Sequence, residues 1–181
     1  MKIGGVKVSG LEEELVEDTQ KGMYMTFKSG REHFGIAINY VNEIIGIQKI
    51  TAIPEAEEYI KGLINLRGNI IPVIDVRLRF KQEPLEYNDR TCIIVIDVQS
   101  TVIGLIVEKI DEVVTIEDKD IEPPPKLVHG NALNKYVWGI GKTNDSVKLL
   151  LDPDKLINDE DLELMEDAAE DAQAEAEKPE E

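Results

Sequence analysis

Three side chains in this sequence could serve as nucleophile, general base or soft metal ligand: Cys92, His33 and His129. His33 sits beside the turn-like KSGRE, and His129 follows three prolines in IEPPPKLVHGNALNK. No metal-ligand or triad spacing includes either histidine, so both read as surface or polar-contact residues. Cys92 opens the β-branched run CIIVIDV, where a small buried apolar residue is expected, because a reactive thiolate needs a cationic, partly open setting. GIGKT at 139–143 resembles the end of a phosphate-binding loop. The first glycine of that motif would fall on Tyr136, however, and NDSVKLLLD continues as turn and strand where a helix is required. The acid pairs Asp111 with Glu112 and Asp118 with Asp120 lack the spaced ligands and internal glycine of a calcium loop. No cofactor or metal site is expected.

One group remains. Asn65, Arg67 and Gly68 interrupt the apolar stretch IKGLINLRGNIIPVIDVRLRF at 60–80. A guanidinium presents five donors in a planar fork and can hold a carboxylate or helix-end carbonyls in a defined direction, which lysine cannot reproduce. Gly68 lets the chain turn tightly after Arg67, and Gly62 would admit the close approach of a partner backbone. The alternative is an arginine that is solvated or paired within its own chain.

The elements that must position these residues are short strands. Met23, Met25 and Phe27 alternate with polar residues, KSGRE turns, and Phe34, Ile36 and Ile38 alternate again, which predicts a hairpin. TCIIVIDVQSTVIGLIVEKI, turning at Gln99–Ser100, and YVWGIGKTNDSVKLLLD, turning at NDS, predict two more. Frequent Gly, Pro, Asn and Asp between runs of this length favour small barrels or a sandwich over a parallel sheet with helical crossovers. IPEAEEYIKGLI has Pro54 near a first helical position, acids in the first turn and Gly62 as a stop, predicting a helix of two turns. Pro72 has no N–H to donate, which places its strand at a sheet edge or bulge. Asn158 caps a C-terminal helix expected over 159–171, on which Leu162, Met165 and Ala169 share a face. Residues 1–20 are expected to be a flexible acidic lead-in and 172–181 a disordered acidic tail.

The formal charge of -17 is concentrated at the end: Asp159 to Glu181 holds 12 acids against Lys178, whereas residues 21–158 carry a net of -3. Without a basic patch there is no electrostatic reason to expect nucleic acid or an anionic membrane surface as partner. A single cysteine excludes an internal disulfide and fits a reducing compartment. The N-terminus lacks a signal-peptide apolar region, and no run approaches the ~20 apolar residues of a membrane span. A cytoplasmic protein is the expectation.

YIKGLINLRGNIIPVIDVRLRF, with FGIAINYVNEI before it and VIGLIVEKIDEVVTIEDKDIEPPP after it, strongly resembles the CheW-type chemotaxis coupling proteins over about Met23 to Met165. The resemblance implies a mostly β fold of two small five-stranded, SH3-like barrels around a shared core, with short helices, a C-terminal helix and no catalytic activity. On this basis residues 21–158 form the CheW-like domain. The resemblance also implies an adaptor that couples the cytoplasmic helical hairpin of chemoreceptors to the regulatory domain of the chemotaxis histidine kinase, in arrays at the inner face of the cell membrane. The receptor hairpin would lie in a groove between the barrels, at the positions that match family contact residues: Val41, Glu43, Gly62, Arg67, Cys92, Ile93, Gly104, Ile110 and Val113. Cys92 departs from the aliphatic residue usual there. Val41, Ile93, Ile110 and Val113 would supply the apolar wall for helix-in-groove packing. The competing reading is a small-molecule or ion sensor using the cleft between barrels.

Overall fold

A computed structural model of the chain describes residues 19–125, 135–144 and 146–179. His129 and nearly all of the N-terminal segment lie outside the described residues. Strands β1 (Met23–Ser29) and β2 (Glu32–Ala37) form the first hairpin, and a single 3-10 turn at Ile38–Tyr40 leads into β3 (Val41–Gly46). β4 (Ile60–Leu66), β5 (Asn69–Asp75), a one-turn helix α1 (Val76–Arg79), β6 (Cys92–Val98) and β7 (Thr101–Val107) follow. After Glu108 come β8 (Lys109–Thr115), β9 (Ile121–Glu122), β10 (Val137–Lys142), β11 (Val147–Leu151), and the helices α2 (Pro153–Leu156) and α3 (Asp159–Ala176).

These strands make two sheets, in the orders β8-β1-β2-β11-β10-β9 and β3-β6-β7-β5-β4. The first has six strands, one more than expected, because Ile121 and Glu122 add to the edge of β10. All three expected hairpins form. In the second, Gln99 and Ser100 both adopt positive φ, 49° and 68°, the turn geometry whose twist matches paired strands.

Alternation along β6 sends Ile94, Ile96 and Val98 into a core shared with the six-stranded sheet, and Ile93 and Val95 to the opposite side, against Ile64, Ile71, Val73 and Ile106. β7 divides likewise, with Ile103, Leu105 and Val107 in the shared core. Burial on both faces is the reason these strands read as continuous apolar runs. From the other sheet the shared core takes Met25, Phe27, Phe34 and Ile36, and a row of rings runs through it from Phe27 by way of Phe34 and Phe80 to Tyr136. Leu162 and Met165 of α3 close it. Each fully buried aliphatic side chain of this kind contributes about 1.5–3 kcal/mol.

Three local expectations are corrected. The predicted helix at 54–61 does not form: the chain turns, with Glu55 at φ 60°, and β4 begins at Ile60. Tyr59 and Ile60 are both 5% exposed core residues, and Asp75 N–H donates to the Tyr59 carbonyl at 2.8 Å, so sheet pairing and burial override a weak helix preference. Second, β5 lies inside its sheet, between β4 and β7. Its pairing with β7 starts only at Val73↔Gly104, so the nitrogen of Pro72 meets no ladder partner that needs a donor. Third, α3 runs to Ala176, five residues past the expected end. Ala, Glu and Gln are good helix formers, the Asn158 side chain accepts from Asp161 N–H at 2.7 Å, and Gln173 is tied to β5.

The five-stranded sheet curls until the chain beyond β3 meets β4. Thr51 and Leu63 exchange two backbone hydrogen bonds of 2.8 Å. Gly62, at φ 140°, sits in the bulge beside them, and a Cβ there would lie 2.7 Å from the Thr51 carbonyl carbon and overlap its oxygen. The backbone that Gly62 admits is therefore the chain's own. Gly104 performs the same service within the sheet, where a Cβ would stand 2.7 Å from methyl carbons of Ile93 and Val73.

Gly62→Ala therefore combines a forbidden φ with a backbone clash and is expected to cost about 3 kcal/mol, read as a lowered urea midpoint at unchanged slope. A second expectation concerns alkaline pH. The Tyr59 and Tyr87 hydroxyls donate to Asp161 and Asp75, and burial first, then that hydrogen bond, holds both phenols protonated well above their ordinary value of 10.0. Because the folded pKa is the higher one, this stabilisation is intact below pH 10 and falls away as pH rises past it, where the unfolded chain alone sheds phenolic protons. Tyrosinate absorbance should stay low in the folded protein above pH 10 and jump on unfolding, and Tyr87→Phe should soften the alkaline loss of stability.

Candidate protein-interaction site

Arg67 and Gly68 form the two-residue turn between β4 and β5, and Asn65 lies near the end of β4. Arg67 and Gly68 both take positive φ, 52° and 88°, as a tight hairpin of this hand requires. Arginine is an unfavoured residue there, and such a conformation persists only where its surroundings impose it. Asn65 Oδ1 accepts from Gly68 N–H at 2.8 Å, and Gln48 donates to the Asn65 carbonyl at 3.1 Å. Gln173 of α3 donates to the Gly68 carbonyl at 3.0 Å and accepts from Ile70 N–H at 2.8 Å.

The Arg67 side chain is 68% exposed. One of its terminal nitrogens pairs with Glu43 on β3, so the pair spans the two edges of the curled sheet. The hydrogen bond that the guanidinium donates to Glu43, and after it the Glu43 charge, raises the guanidinium pKa further. An exposed pair of this kind adds little stability, and its effect is to aim the guanidinium. Four of the five guanidinium donors are left for a partner.

The other expected contact residues fall into three settings. Val113 of β8 is 43% exposed on the edge of the six-stranded sheet. Val41 of β3, Ile110 of β8 and Cys92 of β6 are half-buried and pack against the shared core, which places them along its rim. Ile93 and Gly104 are internal: Ile93 is 0% exposed and fills the space that Gly104 leaves open. The expected groove wall at Ile93 is thus interior packing that supports the surface from beneath, and Gly62 serves the curl of the sheet as described above. Gln48 and Gln173 were missed. For Gln173 a signal existed, because it continues the Leu162, Met165, Ala169 spacing along one face of α3.

The other candidate groups of the sequence that fall among the described residues have structural settings. His33 Nδ1 meets Asp111 Oδ2 at 2.6 Å, a structural polar contact between β2 and β8. GIGKT lies on β10 and the turn that follows it, with β11 after it. Among the described residues no three His, Cys, Asp or Glu side chains are grouped to hold a metal, and no helix is long and apolar enough to cross a membrane.

Two curled sheets around one core, with an exposed arginine at a hairpin tip, define a mostly β domain of the SH3-like class. Residues 23–161 match the CheW-like domain, and the chain belongs to that family. It is 32% identical over 156 residues to a chemotaxis protein CheW of Klebsiella aerogenes, covering 86% of this chain and 93% of the relative. A chemotaxis protein CheW of Treponema pallidum is 32% identical over 145 residues, 78% of this chain and 85% of that one. Among solved structures, the scaffolding protein TtCheW from Thermoanaerobacter tengcongensis superposes with a TM-score of 0.71 at 34% identity, over 77% of this chain and 94% of that one. The family is one of non-enzymatic chemotaxis scaffolds.

The thiol of Cys92 contacts the Arg90 carbonyl at 3.3 Å, and burial raises its pKa. The folded protein is expected to react with an aromatic disulfide several-fold more slowly than the urea-unfolded chain at the same pH. Equal rates would show a thiol open to solvent.

Proposed function

We propose that this protein couples the cytoplasmic tips of chemoreceptors to the chemotaxis histidine kinase, docking on the regulatory domain of the kinase within arrays at the inner face of the cell membrane. The observation that carries the receptor half of this reading is Arg67, set at a strained turn, steadied by Glu43 and left largely exposed. A receptor tip is a helical hairpin, and it ends in a reversal where helix-end carbonyls and acidic side chains can accept from a planar fork. Val41, Ile110 and Val113 supply apolar surface beside the core rim for the helices themselves. Cys92 contributes a small apolar contact at the same rim.

The competing sensor reading requires an enclosed cavity with convergent polar groups. A cleft of about 640 Å³ between Glu57–Tyr59, Leu78–Pro84 and Asn158–Asp161 opens to solvent, and its Arg79 is already stacked between Tyr59 and Tyr136, with centroid distances of 4.3 and 4.9 Å. That arrangement supports the scaffold over the sensor.

Arg67→Ala is expected to weaken binding to a purified receptor cytoplasmic hairpin about thirtyfold, as loss of an interfacial hot-spot cation does. Arg67→Glu should weaken it further, with the melting temperature of both variants essentially unchanged. Intact receptor binding by both variants would overturn the assignment of the site.

A further inference from the structure

The Arg67 turn is held from behind by a residue 105 positions away from Gly68 in sequence. Gln173 lies in the last turns of α3, on the face that continues inward from Leu162 and Met165. Its Nε2 donates both to the Gly68 carbonyl at 3.0 Å and to Glu177 Oε1 at 2.9 Å, while its Oε1 accepts from Ile70 N–H at 2.8 Å. Flipping the amide would set an oxygen against two acceptors and a nitrogen against a donor, so one orientation alone satisfies all three groups.

The carbonyl of residue 68 and the N–H of residue 70 project from the same side of the chain, and they are the pair that a neighbouring strand would satisfy. β7 is not there to do so, because its pairing with β5 begins at Val73. Pro72, next in the same row, has no N–H that needs a partner. The side-chain amide of Gln173 therefore takes the place of a strand for the one stretch of β5 that has a neighbour on a single side. That stretch begins at Gly68, the residue with most freedom in the turn, next to an arginine in a conformation its own backbone disfavours.

We propose that Gln173 is a positioning residue for partner recognition: α3 clips the Gly68–Ile70 backbone so that Arg67 is presented in one direction, with Glu43 steadying its tip from the opposite sheet edge. The clip rests on the reading of the Arg67 turn as the receptor contact. It also gives the C-terminal helix a task beyond covering the core. Leu162 and Met165 anchor it, Thr101 donates to Glu166 midway, and Gln173 delivers the far end to the turn.

A double-mutant cycle in the full-length chain tests this, with Arg67→Ala, Gln173→Ala and the double variant titrated against a receptor cytoplasmic hairpin and the Ile70 amide followed by hydrogen exchange. Alanine is the better helix former, so α3 is retained. Gln173→Ala is expected to weaken binding about fivefold, the loss expected from about one hydrogen bond, to accelerate exchange at Ile70, and to leave the global urea midpoint near that of the parent. Its effect on binding should vanish in the Arg67→Ala background, which a merely structural role would not produce. Full affinity in Gln173→Ala alongside a weakened Arg67→Ala overturns the clip and leaves the receptor site standing, as does an equal loss in both backgrounds. Full affinity in Arg67→Ala overturns the receptor site, and the role of the clip with it.

Discussion

The curl of the five-stranded sheet depends on one close approach, where the chain that follows β3 meets β4 beside Gly62. Only a residue without Cβ permits the paired hydrogen bonds of Thr51 and Leu63. That contact sets the curl, and the curl brings β3 near the β4–β5 turn even though these elements belong to opposite edges of the sheet. The Glu43–Arg67 pair and the bond from Gln48 to Asn65 both follow from it. The Arg67 turn thus owes its setting to how the sheet curls, and Gly62, the glycine behind that curl, lies against the backbone of Thr51.

The strands beneath that turn are built for rigidity. β6 and β7 bury side chains on both faces, with the shared core on one side and the interior of the curled sheet on the other. Such packing is dense and loses stability with any change of volume, which leaves little freedom for recognition chemistry in the strands themselves. Polar, adaptable groups are pushed to turns and edges, as Arg67 is to a hairpin tip, while the apolar Val113 is exposed on the outermost strand of the other sheet. This division between an inflexible interior and a displayed rim is what a scaffold that changes no covalent bond requires.

Much of this was legible in the sequence. The three hairpins followed from period-2 alternation broken by turn residues, and Asn65, Arg67 and Gly68 stood out because nothing in strand formation calls for them. What could not be read shares one cause, contact between residues distant along the chain. IPEAEEY carries good local helix signals, yet Tyr59 and Ile60 gain more by pairing with β5 and entering the core. Pro72 correctly indicated a missing ladder partner, but the gap is local to one half of an interior strand. Ile93 looks like any aliphatic in an alternating run, and only the three-dimensional neighbour Gly104 shows that it faces inward. Gln173 sat in a segment with almost nothing apolar to bury, so composition pointed to a tail, whereas its amide had backbone partners more than a hundred residues earlier.

The order of strands also constrains how the molecule comes into being. The sheet made from β3 to β7 uses one uninterrupted stretch of chain, so a ribosome releases all of its parts together. Its companion draws β1 and β2 from near the start and β11 from near the end, and β2 finds its parallel neighbour only when Phe34 meets Leu149. During vectorial synthesis the first hairpin therefore stays half paired until β8 and β11 emerge, although its Phe34 can already meet Phe80 and the apolar side chains of β6 and β7.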